Sequence, residues 1–293
     1  MFNLTCHRLQ IRNIVQLTAK AGFWLAFCTA LIGIASQINA AEPKKVAFLV
    51  GVSKYDKAGL NNLAYAEDDV AALGEALKSS GFFVETLLGS AEGEKGATRA
   101  IINARLETQF VQNLKKINKN DIVLIALSGQ GLQMNVEKAG ARVEDQFFCP
   151  VDAVKTDPAT MLSIGDLIQL VAHNSGAASN LFIIDAYHDS PSKGIDGSHL
   201  TIPRGTGMIF AASTGEKSYE TDKLKHGLLA YYLLEGLNGR AKDEDGEVTW
   251  ESLATYAKKQ VIRNSPKLVS AEQSPNTVSN LSTVPVLVRI RTR

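Results

Sequence analysis

The chain has 293 residues, of which 45% are hydrophobic and 21% are charged, a composition typical of a globular protein with a sizeable core. Its 31 basic and 30 acidic residues give a formal net charge of +1, so it lacks the overall positive field that favours nucleic acid. The composition excludes disordered and fibrous classes, and nucleic acid is not expected as a partner.

The first forty residues have the pattern of a secretory signal peptide. Basic residues such as Arg8 and Arg12 precede an apolar run at 21–35, and small residues follow up to Ala40 and Ala41. The run is shorter than the roughly 20 residues that span a bilayer, which favours cleavage near Ala40 and export to the periplasm or beyond. The alternative is an uncleaved anchor, the one case in which we expect contact with a membrane.

The number of cysteines in the cleaved protein depends on the same segment. Cys6 and Cys28 lie within it, so Cys149 is the only cysteine in the chain after cleavage. Although export would permit disulfides, an intramolecular one is then impossible.

Strands alternate with helices along the rest of the chain. Short apolar runs such as KVAFLVGV predict strands buried on both faces, and apolar residues at helical spacing predict helices between them. In chain order the predictions are a strand at 45–52, a helix at 64–80, strands at 82–88 and 121–127 flanking a helix at 98–117, a helix at 163–173, strands at 181–185 and 208–212, helices at 227–237 and 250–263, and a strand at 284–290. This alternation predicts one α/β domain at 41–293 with a mainly parallel sheet covered on both faces, and a polar tail from about 266.

An ordered series of sequence blocks resembles the caspase and metacaspase family of cysteine peptidases. The blocks are VAFLVGVSKY, NLAYAEDDVAALGEALKSSGF, DIVLIALSGQG, FFCPVDA, LFIIDAYHDS, AASTGEKSYE and HGLLAYYLLEGL. Each block is weak alone, but the ordered set is specific and covers nearly the whole predicted domain. The resemblance implies a three-layer α/β sandwich with a mainly parallel central sheet, and a cysteine endopeptidase ancestry without a cofactor.

The residue types on which that peptidase chemistry depends are absent from the matching positions. The family carries its histidine after the third strand and its nucleophilic cysteine after the fourth, roughly 50 residues later; Gln130 and Tyr187 stand there. An amide cannot accept the proton that an imidazole takes, and a phenol with a pKa of about 10 is almost fully protonated near neutrality. We therefore predict no active catalytic residue at these positions.

The substrate-binding side of the family pattern is better preserved. In the metacaspase branch the acidic residue two before the cysteine holds a basic substrate side chain, and Asp185 matches that position. Ser218, Tyr219 and Glu220 match the segment beside which family substrates lie extended. The alternative for Asp185 is a local role in which it caps neighbouring backbone N–H groups.

Several other motifs indicate structural roles more than functional ones. Cys149 could act as a relocated nucleophile, but its apolar neighbours indicate a packed thiol. The pair Gly129 and Gly131 lacks the third glycine of a dinucleotide site, and the segment 242–248 lacks acidic residues at the ends of a calcium loop. The segment from His188 to His199 contains scattered His and Asp residues, for which solvation is favoured over metal binding.

Together these observations predict an exported caspase-like pseudopeptidase that binds a peptide or protein, one with a basic side chain if Asp185 still faces the pocket. The alternatives are an active cysteine endopeptidase with relocated catalytic residues, Cys149 among them, and a purely structural domain whose pocket is closed by Tyr187. We expect neither a cofactor nor a metal.

Overall fold

A computed structural model describes residues 43–290, apart from 58, 188–194, 196, 198 and 199, and for Gln109 and Tyr187 it describes the backbone alone. The predicted signal segment therefore lies outside the described residues, as do the candidate metal ligands His188, Asp189, Asp196 and His199. None of the described helices is long and apolar enough to cross a membrane.

The described chain alternates strands and helices, as the sequence predicts. The strands are β1 (Lys45–Gly51), β2 (Phe82–Leu88), β3 (Ile122–Lys138), β4 (Ala141–Phe148), β5 (Leu162–Ser163), β6 (Ser179–Tyr187), β7 (Thr206–Phe210), β8 (Glu220–Thr221), β9 (His226–Gly227), β10 (Glu247–Thr249), β11 (Asn276–Ser279) and β12 (Val286–Arg289). The α-helices are α1 (Ala66–Ser79), α2 (Arg99–Ala104), α3 (Val111–Leu114), α4 (Ile164–Asn174), α5 (Leu228–Glu235) and α6 (Trp250–Val269).

The main sheet has the strand order β11-β7-β6-β3-β1-β2, with β4 and β5 attached beside β3. The five strands β7, β6, β3, β1 and β2 run parallel to one another. At one edge of the sheet, β11 pairs antiparallel with β7. The expected mainly parallel central sheet is confirmed, and β11 is a strand that the sequence did not predict.

Helices cover both faces of this sheet because alternate side chains of each strand point to opposite sides. On β1, Ala47 and Leu49 pack in one core with α1, α5 and α6, whereas Phe48 and Val50 pack in a second core with α2, α3 and α4. β1 thus contributes to two cores, which is why it is apolar after Lys45, and the three-layer α/β sandwich is confirmed.

Three segments differ from the sequence prediction. β3 does not end at Leu127 but continues to Lys138, and its second half forms a hairpin with β4; the glycines at 129 and 131 do not end the strand but lie buried within it. The helix expected at 98–117 contains a π-helix, Arg105–Phe110, between α2 and α3. Beyond Pro266, where a polar tail is predicted, α6 continues to Val269, and β11 and β12 follow.

Leu49 offers a test of this core, since it is fully buried on a central strand. Leu49→Ala should lower the free energy of unfolding by about 2–5 kcal/mol, through lost burial and the cavity left behind. Val143→Ala, at a largely exposed apolar position on β4, is the matched control and should change it by less than about 1 kcal/mol. Urea denaturation followed by circular dichroism measures both, and equal effects would contradict the described core.

Candidate functional site

The candidate site lies where β3 and β6 leave the apolar core side by side. Their parallel register places Ser128 opposite Asp185 and Gln130 opposite Tyr187. The two positions that the sequence resemblance assigns to catalysis are therefore neighbours at the carboxyl ends of adjacent strands, the usual place for reactive groups in an α/β sheet.

Gln130 is held at this edge by several contacts. Its side chain is 3% exposed, and its Nε2 donates to the backbone oxygen of Asn61 at 3.1 Å. Its backbone N–H donates to the Tyr55 hydroxyl, and its carbonyl accepts from the backbone N–H of Cys149 at 2.9 Å. Gln130 is thus a buried hydrogen-bonding residue, as the sequence suggests for a polar replacement.

The glycines on either side of Gln130 are required by close packing. A Cβ on Gly129 would lie 2.9 Å from the Tyr55 hydroxyl and 2.9 Å from the ring of Phe148. A Cβ on Gly131 would lie 2.3 Å from Ile195. These contacts explain the Gly-x-Gly pattern without a nucleotide.

Asp185 is the most unusual charged residue of the site, because its carboxylate is almost completely buried, with 3% of the residue exposed. Oδ1 accepts a hydrogen bond from the Ser218 hydroxyl at 2.7 Å, whereas Oδ2 has no hydrogen-bond partner among the described residues. Burial, reinforced by the nearby charge of Asp69, raises the pKa of Asp185 from 3.8 to about 7. The group therefore changes charge near neutrality.

A small cavity of about 20 Å³ adjoins this carboxylate. Its lining residues are Asp69, Ser128 and Asp185 together with apolar residues of α1, α5 and the sheet, and almost all of the lining surface is apolar. The Ser128 hydroxyl is buried and, like Asp185 Oδ2, has no hydrogen-bond partner in the described part of the chain. The volume suits about one water molecule, so a larger ligand requires the cavity to open.

Asp69, in the first turn of α1, is bound by two donors from the β9 segment. Its Oδ1 lies 2.5 Å from Nδ1 of His226, and its Oδ2 accepts from the backbone N–H of Gly227 at 3.0 Å. Burial raises the pKa of Asp69, and the hydrogen bond to Asp69 raises the pKa of His226. Once protonated, the His226 imidazole offsets the charge of Asp69, which is one of the two buried carboxylates.

The segment that includes Ser218, Tyr219 and Glu220 forms one wall of the site. Ser218 contacts Asp185 directly, and the backbone N–H of Tyr219 donates to Oε1 of Gln273 at 3.0 Å. Glu220 accepts from the backbone N–H groups of Ala64 and Tyr65 at 2.6 and 2.9 Å, just before α1 begins. The three predicted binding residues and Asp185 thus lie in one region, each already engaged in an internal contact.

Cys149 lies outside this cluster. It is completely buried beside Phe147, Ala153 and Met161, and burial raises the pKa of its thiol to about 12. A thiol in this setting is neither exposed nor ionised near neutrality, whereas a nucleophilic cysteine needs both properties.

No group of His, Cys, Asp and Glu among the described residues has the arrangement of a metal site. The acidic segment at 242–248 forms a turn in which Oδ1 of Asp243 accepts from the backbone N–H groups of Asp245 and Glu247. Its carboxylate therefore caps a turn before α6, as the sequence suggests.

The comparisons with known proteins agree with this architecture. A family model described as Caspase domain matches residues 44–286. The chain belongs to the caspase family. As a family member, it carries Gln130 and Tyr187 where the sequence resemblance places the histidine and cysteine.

Two solved structures are similar to this caspase-family chain. Caspase-1 from Spodoptera frugiperda is 16% identical with a TM-score of 0.55, and the alignment covers 86% of this chain and 92% of that one. A protein from Geobacter sulfurreducens is 18% identical with a TM-score of 0.58, covering 85% and 98%. At such identities the likeness shows the fold alone. The sequence matches none of the curated proteins with which it was compared.

Sequence reasoning missed three residues that the structure brings to this region. Asp69 lies among the acidic residues in the first turn of α1, and Ser128 directly follows the buried run of β3. His226 opens the block HGLLAYYLLEGL. All three lie within the blocks that carry the family resemblance, and that membership was the available signal.

The buried carboxylate of Asp185 predicts a specific pH dependence of stability. Because folding raises its pKa to about 7, its contribution to stability is fully present below pH 3.8 and is lost as pH rises through about 7. Asp185→Asn removes this titration, so its stabilising effect relative to the natural protein should be larger at pH 8 than at pH 5 by about 2–3 kcal/mol.

Chemical denaturation of the natural protein and of Asp185→Asn across this pH range measures the difference. Asp68→Asn, which removes an exposed carboxylate from the helix that carries Asp69, is the matched control for the loss of one acidic side chain. Parallel pH profiles for Asp185→Asn and the natural protein would show that Asp185 does not titrate as described.

Proposed function

We propose that this caspase-family protein is a pseudopeptidase that binds a peptide or protein through a basic side chain and does not cleave it. The observation that carries the proposal is a pair of buried polar atoms, Asp185 Oδ2 and Ser128 Oγ, that have no hydrogen-bond partner among the described residues and lie near the carboxylate of Asp69. A Lys ammonium or Arg guanidinium supplies both the N–H donors and the positive charge that these oxygens lack.

The chemistry at Gln130 supports binding without cleavage. A peptidase needs an ionised thiol and an imidazole that can protonate the leaving amine. The amide of Gln130 does not titrate in the useful range, and its Nε2 is already bound to the carbonyl of Asn61. Tyr187, which is paired with Gln130 in the sheet, is a phenol and does not supply the thiol that a cysteine peptidase needs.

The segment of Ser218, Tyr219 and Glu220 supports an extended ligand at this wall, by analogy with the substrate position in the family. Ser218 contacts Asp185, so a ligand whose basic side chain reaches Asp185 would run past this segment. We further propose that the ligand is met after export, because the sequence begins with the pattern of a cleavable signal peptide.

The proposed absence of peptidase activity predicts two results. Peptides with Lys or Arg before the scissile bond should not be hydrolysed, with or without added calcium. Iodoacetamide should modify Cys149 at least about 100-fold more slowly in the folded protein than in denaturant, because the thiol is buried and protonated.

Mass spectrometry of the peptide that contains Cys149 separates its alkylation from that of Cys6 and Cys28. Cys149→Ala is the control for activity. Turnover that disappears in this variant, together with fast alkylation of the folded protein, would favour the relocated peptidase.

The proposed binding mode predicts preference for a basic peptide. An Arg-containing peptide should bind more tightly than its Ala counterpart, and Asp185→Ala should weaken it about tenfold or more, since a charge-assisted hydrogen bond contributes roughly 1.5–3 kcal/mol. Affinity should rise from pH 6 to pH 8, because Asp185 ionises near pH 7.

Isothermal titration calorimetry measures these affinities, with Asp68→Ala as a matched control at an exposed acidic position. Equal affinity for Arg, Lys and Ala peptides, unchanged in Asp185→Ala, would contradict the proposal. That result would favour a purely structural domain with a closed cavity.

A further inference from the structure

A second surface lies at the β11 edge of the main sheet. There α6 and β11 border a groove of about 530 Å³, which we call the β11 groove. Its lining includes the basic residues Lys258, Lys259 and Arg263, the apolar Ile262 and, from the strand, Thr277. None of the described residues that line it is acidic, so the groove has a concentrated positive charge in a chain whose formal net charge is only +1.

The helix presents these side chains together because of its repeat. Residues three or four apart share a helix face, and Lys258, Lys259, Ile262 and Arg263 follow that spacing. The opposite face of α6, which includes Leu253, is buried in the core. Ile262 is 44% exposed and is one of few large apolar side chains exposed in the described chain. The result is an apolar contact point surrounded by three cations.

The strand supplies a different kind of binding group. β11 is the last strand of the sheet, and no described strand pairs with its outer edge. Successive residues of an edge strand direct their backbone groups alternately inward and outward. Asn280 N–H donates inward to Thr206 O, whereas Thr277 N–H donates to the side-chain Oδ1 of Asn276. Backbone groups of Thr277 and Ser279 therefore face the outer edge of β11, where another strand can pair.

The charge of the groove decides between candidate occupants. A second copy of this chain could pair through β11 about a two-fold axis. The three cations of one copy would then approach the same three cations of the other copy, and this repulsion opposes the contact. Nucleic acid would use the cations but would leave Ile262 and the strand edge unused. An acidic extended polypeptide uses all three features.

We propose that the β11 groove binds an extended acidic segment of a partner protein. The segment adds as a strand to the outer edge of β11, places carboxylates on Lys258, Lys259 and Arg263, and packs an apolar side chain on Ile262. This surface shares no residue with the Asp185 cavity, so its binding does not depend on the function proposed above.

The test uses the full chain and two fluorescent octapeptides, Glu-Thr-Glu-Thr-Val-Thr-Glu-Thr and its counterpart with Lys in place of Glu, in which the charged side chains and the valine lie on one face of an added strand. Fluorescence anisotropy should show saturable binding of the Glu peptide that weakens in about 0.5 M salt, where exposed charges are screened. Lys258→Ala/Lys259→Ala/Arg263→Ala should weaken it at least tenfold. Lys115→Ala/Lys116→Ala/Lys119→Ala removes the same charge from exposed positions elsewhere and should leave the affinity unchanged.

Two further variants test the geometry. Lys258→Glu/Lys259→Glu/Arg263→Glu should prefer the Lys peptide to the Glu peptide, and Ile262→Ser should weaken binding of the Glu peptide with all charges retained. Circular dichroism establishes that each variant is folded.

Four results of the binding measurements would overturn the proposal. They are absence of binding, equal affinity for the two peptides, an unchanged affinity in the triple alanine variant, and a single-stranded oligonucleotide that binds the groove as tightly as the Glu peptide. Sedimentation that shows a dimer dissociated by Ile262→Ser would also overturn it, because a second copy would then occupy the groove.

Discussion

The parallel register of β3 against β6 is the constraint on which the candidate site depends. Because both strands extend past the apolar core in step, Ser128 meets Asp185 and Gln130 meets Tyr187 at one edge of the sheet. A shift of one residue would turn every following side chain to the opposite face and separate these pairs. The apolar packing on both faces of the sheet therefore holds the site as well as the fold.

The architecture could be predicted from the sequence because its signals are local and repeated. Buried runs such as β1 and 122–127 are bounded by polar residues or glycine, and Ser163 is an N-cap whose oxygen accepts from Asp166 N–H. β11 carries no comparable signal, since its short polar sequence becomes a strand only by pairing with β7. Pro266 suggested an end to α6, but helix packing outweighs that local preference.

The site was predictable in part. The family blocks led to Gln130, Tyr187 and Asp185, because sequence order alone places them after the third and fourth strands. The partners of Asp185 depend on tertiary contacts: Ser218 and Asp69 are distant from it in the chain, and spacing does not reveal that they meet. Its shifted pKa likewise follows from burial, a property of the assembled fold and not of the residue type.

Glu220 joins the wall of the site to the start of α1, because its carboxylate holds the N–H groups of Ala64 and Tyr65. Orphan donors before a helix are costly to leave unbound, so displacing this wall also frays the helix that carries Asp69. We therefore expect the two elements to open together, as one cooperative unit with a single subglobal opening free energy. Such an opening, which a ligand larger than a water molecule needs, would give shared amide protection across segments far apart in the chain.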